Sequence, residues 1–143
     1  MNAPPLSNAA APDWPVVTAT DRARLHRWLK RLPAEALAAE LMDLIDSADE
    51  VAPQDVPADV VTMNSQVVLG QAPGEGERRL TLCYPPDADV AAGRVSVLSP
   101  VGMALLGRRQ GDAVELTGPD GQRDTLRILG VVFQPEADGQ YTL

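Results

Sequence analysis

The spacing of apolar residues changes once along this chain, near residue 59, and that change limits the folds open to it. Before it, Leu25, Trp28, Leu29 and Leu32 recur at the i, i+3, i+4, i+7 spacing of one helical face. Leu37, Leu41, Leu44, Ile45 and Ala48 make a similar stripe on a second helix. Beyond it the period falls to two, in segments rich in Val, Leu and Thr, and residues 60–69, 78–84, 95–98, 113–116 and 125–133 read as five strands. Helices first and strands afterwards define an α+β chain rather than an alternating α/β one.

The local signals give the connections. Thr20 can cap the first helix ahead of Asp21, and Pro33 suits the first turn of the second. Two short helices joined this tightly form an antiparallel hairpin, a small coiled coil. Trp28 with Leu25, Leu29 and Leu32 would meet Leu37, Leu41 and Leu44 across its seam. "DEVAPQDVPAD", with Pro53 and Pro57, is a connector. "APGEGE" joins the first two strands and "GPDGQ" the last two, so the sheet is expected to be antiparallel. Its one helix is "SPVGMALLG", where Ser99 caps, Pro100 takes the first turn and Gly107 stops the helix in a left-handed conformation. The expected organisation is a flexible segment 1–17, a helical hairpin 18–50, a linker 51–58 and a sheet domain 59–143.

Charge narrows the partners. With 12 basic and 20 acidic residues in 143, the formal net charge is -8, which repels phosphate backbones and favours a protein partner over free nucleic acid. The excess is shared evenly, with 5 basic and 9 acidic groups in residues 1–55 and 7 and 11 in the remainder, so no basic half is hidden. Arg24, Arg27 and Arg31 line the outer face of the first helix and Glu40, Asp43, Asp46 and Glu50 that of the second. Such faces are either solvated or docking surfaces. No Lys or Arg precedes Arg22 and prolines break the start, so no signal peptide is expected there. No apolar run approaches the ~20 residues of a membrane span, so the expected location is the cytoplasm.

Little in the chain suits catalysis. Cys83 is the single cysteine, which excludes an internal disulfide or a cysteine-rich zinc site and reads as a buried strand thiol. His26, the single histidine, has no second ligand or base within helical reach and reads as a surface residue. No G-x-x-x-x-G-K-[ST] loop exists, "GQAPGEGE" lacks a phosphate-binding lysine, and no Ser-His-Asp set can form. The chain reads as a non-enzyme without catalytic residues, metal or cofactor.

The segment "SVLSPVGMALLGRRQGDAVEL" resembles the C-terminal domain of the bacterial GreA/GreB transcript-cleavage factors, through Ser99, Pro100, Ala104, Leu105, Leu106, Gly107, Arg108, Arg109, Gly111 and Asp112. "DVVTMNS" at 59–65 and the tail "FQPEADGQYTL" resemble the branch called regulators of nucleoside diphosphate kinase (Rnk). The resemblance, over about residues 20–143, implies an FKBP-like antiparallel sheet carrying a shortened helical hairpin, and docking at the rim of the secondary channel of RNA polymerase. Ser99 and Pro100, flanked by Leu98, Arg108 and Arg109, become the contact candidates, with helix capping as the alternative role of Ser99 and Pro100. Leu98 stands where Gre factors often carry Asp or Asn.

An FKBP-like sheet raises prolyl isomerase activity, but this half offers only Tyr84, Phe133 and Tyr141 for an aromatic-lined pocket. Two functions therefore remain. One is a polymerase-binding regulator that competes with Gre factors without cleaving transcripts, because the turn "LKRLPAEAL" offers Glu35 as its only carboxylate beside Lys30 and Arg31. The other is direct regulation of nucleoside diphosphate kinase, as the branch name implies.

Overall fold

In the computed structural model, residues 15–33, 36–71, 76–117, 121 and 123–140 are described. Strand β1 (Val16–Thr18) runs directly into helix α1 (Ala19–Lys30), which is followed by α2 (Ala36–Ser47) and strand β2 (Asp49–Val51). Each helix has 12 residues, or about 18 Å. Arg22 near the start of α1 pairs with Asp46 at the end of α2 (3.5 Å) and with Glu50 just beyond it (2.9 Å). The helices therefore run in opposite directions.

Val16 and Val17, expected to belong to a flexible segment, are buried. β1 pairs in parallel with β2, Val16 opposite Asp49 and Thr18 opposite Val51, so the two ends of the helical unit are laced together. Two apolar residues gain enough from this burial to hold a strand that no alternation announced. The start of the expected linker, Val51, is part of the same ladder. The turn residue Glu35 and residues 1–14 lie outside the described residues, as do most of "APGEGE" and "GPDGQ".

The N-cap of α1 is Thr18, two residues ahead of the expected Thr20, with its Oγ1 accepting from the Asp21 amide at 3.0 Å. The apolar face of α1 presents Leu25 and Leu29 to Leu41 and Ile45 of α2, all buried. Trp28 is not in this seam. It is half-buried at the edge of the apolar stripe, where it lines a space with Arg24, Arg27, Arg31 and Tyr84. Leu37 is 38% exposed, so the seam is narrower than the leucine pattern suggested.

The second part is a five-stranded sheet ordered β5-β4-β3-β7-β6, with β3 Gln66–Gly70, β4 Arg78–Cys83, β5 Arg94–Ser96, β6 Ala113–Thr117 and β7 Arg123–Phe133. All its pairings are antiparallel except β4 with β5, where Leu82 lies opposite Val95 in a parallel register. The expectation of a wholly antiparallel sheet is thus corrected. Residues 84–93 contain two short 3-10 turns and carry the chain back to the level of Thr81, midway along β4, so that β5 runs alongside it in the same direction. Two register shifts between β3 and β7 curl the sheet.

The long strand expected over 60–69 begins only at Gln66. Residues 62–65 instead form a turn, with Asn64 at φ 67°, the left-handed region that Asn tolerates. Cys83 is buried in β4 as expected, its thiol 3.4 Å from the Val95 carbonyl, and burial pushes its pKa up.

Helix α3 (Pro100–Leu105) covers the sheet with Met103 and Leu105, followed by Leu106. The same buried cluster contains Val17, Leu25, Leu29, Leu41 and Ile45, so the helical unit and the sheet share one core. Two glycines permit α3 to lie where it does. A Cβ on Gly102 would stand 2.0 Å from the Ser96 carbonyl oxygen, and one on Gly107 (φ 79°) would stand 2.4 Å from Pro15 Cβ. Gly102→Ala is expected to cost about 1–3 kcal/mol. Thermal unfolding followed by circular dichroism should show a lowered Tm, while Gly130→Ala, whose added methyl meets nothing closer than 4.0 Å, should change it little.

Candidate functional site

The residues singled out by sequence lie around α3. Ser99 is its N-cap, its hydroxyl accepting from the Gly102 amide at 3.0 Å and donating to the Ser96 carbonyl at 2.7 Å. Pro100 takes the first turn and is exposed. Leu98 is half-buried against the core, and its amide donates to Ser96 Oγ at 3.0 Å. The Ser99 hydroxyl is thus committed within the chain, and Pro100 is the outermost of the three.

Arg108 and Arg109 lie at the other end of α3, a six-residue helix of about 9 Å. Both are half-buried. Their backbones hold the junction: the Val61 amide donates to the Arg108 carbonyl (2.8 Å), and the Arg109 amide donates to Asp112 Oδ2 (2.9 Å). Gly107, at φ 79°, ends the helix as anticipated, and Asp112 is a turn residue.

The stretch 59–65, "DVVTMNS", is where the parts are joined. The Met63 amide donates to the Asp21 carboxylate at 3.0 Å, tying the sheet domain to α1. The Thr62 amide donates to Ser65 Oγ (2.9 Å), and the Thr62 hydroxyl donates to Glu136 Oε1 (2.7 Å), bringing in the segment after β7. Gln134 Nε2 donates to the carbonyls of Pro57 (2.7 Å) and Val60 (2.8 Å). The Gly107 amide donates to the Val61 carbonyl (2.8 Å) and the Asn64 amide to that of Leu82 (2.6 Å). Thr62, Ser65, Asp21 and Gln134 are all buried polar residues.

Asp21 is the unusual member. Burial of the carboxyl pushes its pKa from 3.8 up to about 7, opposed by the Met63 amide, reinforced by the nearby charge of Glu136 and opposed again by Arg24 and Thr18. Sequence reading gave Asp21 no role beyond following a cap. The signal was present, since Thr18-x-x-Asp21 has the spacing of a capping box, but its sheet partner is 42 residues away.

A cleft of ≈ 260 Å³ opens beside this junction, lined by Arg24, Arg27, Trp28 and Arg31 of α1 and by Tyr84 at the end of β4. The Tyr84 hydroxyl is buried without a well-formed hydrogen bond. Its pKa is raised by burial and by Asp21, against the pull of Arg24. The arginine face read as an outer surface of the helix is therefore one wall of a cleft. His26, read as an isolated surface residue, contacts Asp46 Oδ1 at 3.0 Å across the helices. Among the described residues no three His, Cys, Asp or Glu side chains are grouped to hold a metal ion, and no helix is long and apolar enough to cross a membrane.

In this chain a curled sheet is capped by a Ser-Pro helix and joined through "DVVTMNS" to a short pair of helices. The solved structure of the prokaryotic transcription elongation factor GreA/GreB from Nitrosomonas europaea is similar with a TM-score of 0.74 and 35% identity, covering 85% of this chain and 100% of that one. The family described as transcription elongation factor GreA/GreB, C-terminal, matches residues 56–132. The regulator of nucleoside diphosphate kinase of Escherichia coli (strain K12) is 43% identical over 111 residues, 77% of this chain and 78% of that protein. Transcription elongation factor GreA of Acidiphilium cryptum is 33% identical over 99 residues, 69% of this chain but 62% of its own length. The chain belongs to the GreA/GreB family, in the branch of the regulators of nucleoside diphosphate kinase.

The Asp21 carboxyl makes stability depend on pH. Its folded pKa lies above the unfolded value, so the native state binds the extra proton between the two and the contribution is fully present below about 3.8 and lost as pH rises through about 7. The full span is on the order of 4 kcal/mol. Asp21→Asn should flatten the fall in Tm between pH 5 and pH 8 and be the more stable form at pH 8. Parallel slopes for the two proteins would show that the carboxyl does not titrate in this window.

Proposed function

We propose that this protein binds RNA polymerase at the secondary channel and modulates transcription by competing with Gre factors, without stimulating transcript cleavage itself. The observation that carries the reading is a Gre-type sheet domain, matched over residues 56–132, joined to helices of only 12 residues. The sheet is of the FKBP-like kind and the helices form a short hairpin. A cleavage factor of this family reaches through the channel with a long arm and presents clustered carboxylates to a catalytic Mg²⁺. An arm of about 18 Å is short for that reach. Lys30, the last residue of the first helix, and its C-cap Arg31 are cations that would repel the ion.

The docking surface is the exposed start of α3, with Pro100 outermost, Leu98 and Ser99 beneath it, and Arg108 and Arg109 at the far end of the helix. Ser99 supports this surface through its cap. Leu98, where Gre factors often carry Asp or Asn, makes this end of the contact apolar rather than polar. The second reading, direct contact with nucleoside diphosphate kinase, draws on the name of the Escherichia coli relative. An altered level of the kinase would also follow indirectly from altered transcription.

Two measurements separate these readings. A tagged copy should retain polymerase subunits rather than the kinase, and Pro100→Ala should reduce that retention about tenfold with an unchanged Tm, since an exposed first-turn position tolerates Ala. In a backtracked elongation complex with labelled RNA, the protein should slow cleavage by an added Gre factor and leave the transcript intact alone. Dose-dependent shortening of the RNA by this protein alone would overturn the reading.

A further inference from the structure

The cleft beside α1 has no part in the docking surface, and its lining is chemically coherent. Arg24, Trp28 and Arg31 fall at i, i+4 and i+7, with Arg27 between them, so all four side chains share one helical face over about 10 Å. Across from them stands Tyr84, fixed by the end of β4 and the 3-10 turn that begins at Pro85. Three guanidinium groups and two aromatic rings therefore converge on one space.

Charge makes that convergence unusual. The chain as a whole carries -8, and a cationic helix face would ordinarily be matched by its own carboxylates. Arg22 is matched in this way by Asp46 and Glu50. Arg27 and Arg31, among the described residues, make no ion pair, and both are exposed at the cleft. Guanidinium forks are suited to bidentate contact with phosphate, and they lose less on desolvation than ammonium groups. Trp and Tyr faces accept a planar ring by stacking.

We infer that this cleft binds a mononucleotide carrying two or more phosphates, its base against Trp28 and Tyr84 and its phosphates on Arg27 and Arg31, with Arg24 at the inner end. The size fits a small ligand. At ≈ 260 Å³ the open cleft lies just under the ~300–1,000 Å³ of drug-sized sites, room for a base against its walls with the outer phosphate left in solvent beside Arg31. A long nucleic acid is disfavoured by the same charge balance, because its backbone would extend past the three arginines into the field of an acidic protein. Screening over about 8–10 Å lets a single nucleotide experience the local cations alone. The inference is independent of polymerase docking, which uses another surface.

The test uses the full chain with Trp14→Phe, which leaves Trp28 as the one tryptophan. Binding is measured by calorimetry and by Trp28 fluorescence with ADP, GDP, adenosine, pyrophosphate and a short single-stranded oligoadenylate. ADP or GDP should bind saturably and quench Trp28. Pyrophosphate and adenosine should each bind at least about tenfold more weakly, because each offers half of the recognition. Replacing Arg27 and Arg31 with Ala should weaken the nucleotide at least about tenfold with unchanged circular dichroism and Tm, and Trp28→Leu should weaken nucleotide but not pyrophosphate. No saturable binding at millimolar ligand, equal affinity for pyrophosphate, insensitivity to the arginine substitutions, or tighter binding of the oligonucleotide would each overturn the assignment.

Discussion

The contact on which the arrangement turns is the buried carboxyl of Asp21 accepting from the Met63 amide. Asp21 belongs to the first turn of α1, and Met63 belongs to the turn that precedes the central strand β3. A buried acid is costly unless it is paired or neutral. Here one backbone donor and a raised pKa meet that requirement together. The junction is thus specific in geometry yet sensitive to protonation, and the charge of Asp21 reaches Tyr84 beside it.

Around that contact, the "DVVTMNS" turn gathers three further parts of the chain. Val61 bonds the end of α3, Asn64 and Ser65 bond Leu82, Thr62 bonds Glu136, and Val60 bonds Gln134. Each of these partners lies far away in sequence, and each satisfies a polar group that burial would otherwise leave exposed to loss. A segment that reads as an ordinary strand is in this way the knot of the fold. The short β1-β2 ladder performs a similar task for the helices, closing their open end against the carbonyl of Gly107.

The family match over residues 56–132 covers most of the sheet and all of α3, whereas the two helices of this chain's first part lie outside it. Its helices are short, its Ser-Pro turn is preceded by Leu98, and its first helix turns three arginines and a tryptophan toward a cleft instead of toward its partner helix. Two surfaces of opposite character result. One is compact and apolar at Pro100, the other cationic and aromatic near Tyr84, and they are built from different elements.

The sequence by itself determined the elements whose causes are local. The change of period located two helices and then strands, Ser99 and Pro100 announced the start of α3, Gly107 announced its end, and the flanking residues of Cys83 marked a buried strand. The motif between Ser99 and Asp112 also carried the family. Tertiary structure decided whatever depended on distant partners. Val16 and Val17 became a strand because β2 lies beside them, β5 runs parallel because of its crossover, and residues 62–65 form a turn because Asp21 and Ser65 reward it. Trp28 left the helical seam for the same reason, since Tyr84, 56 positions away, supplies the opposite wall of its cleft. Periodicity fixes which face of an element is apolar, but only the packed chain fixes what that face, and its neighbours, will meet.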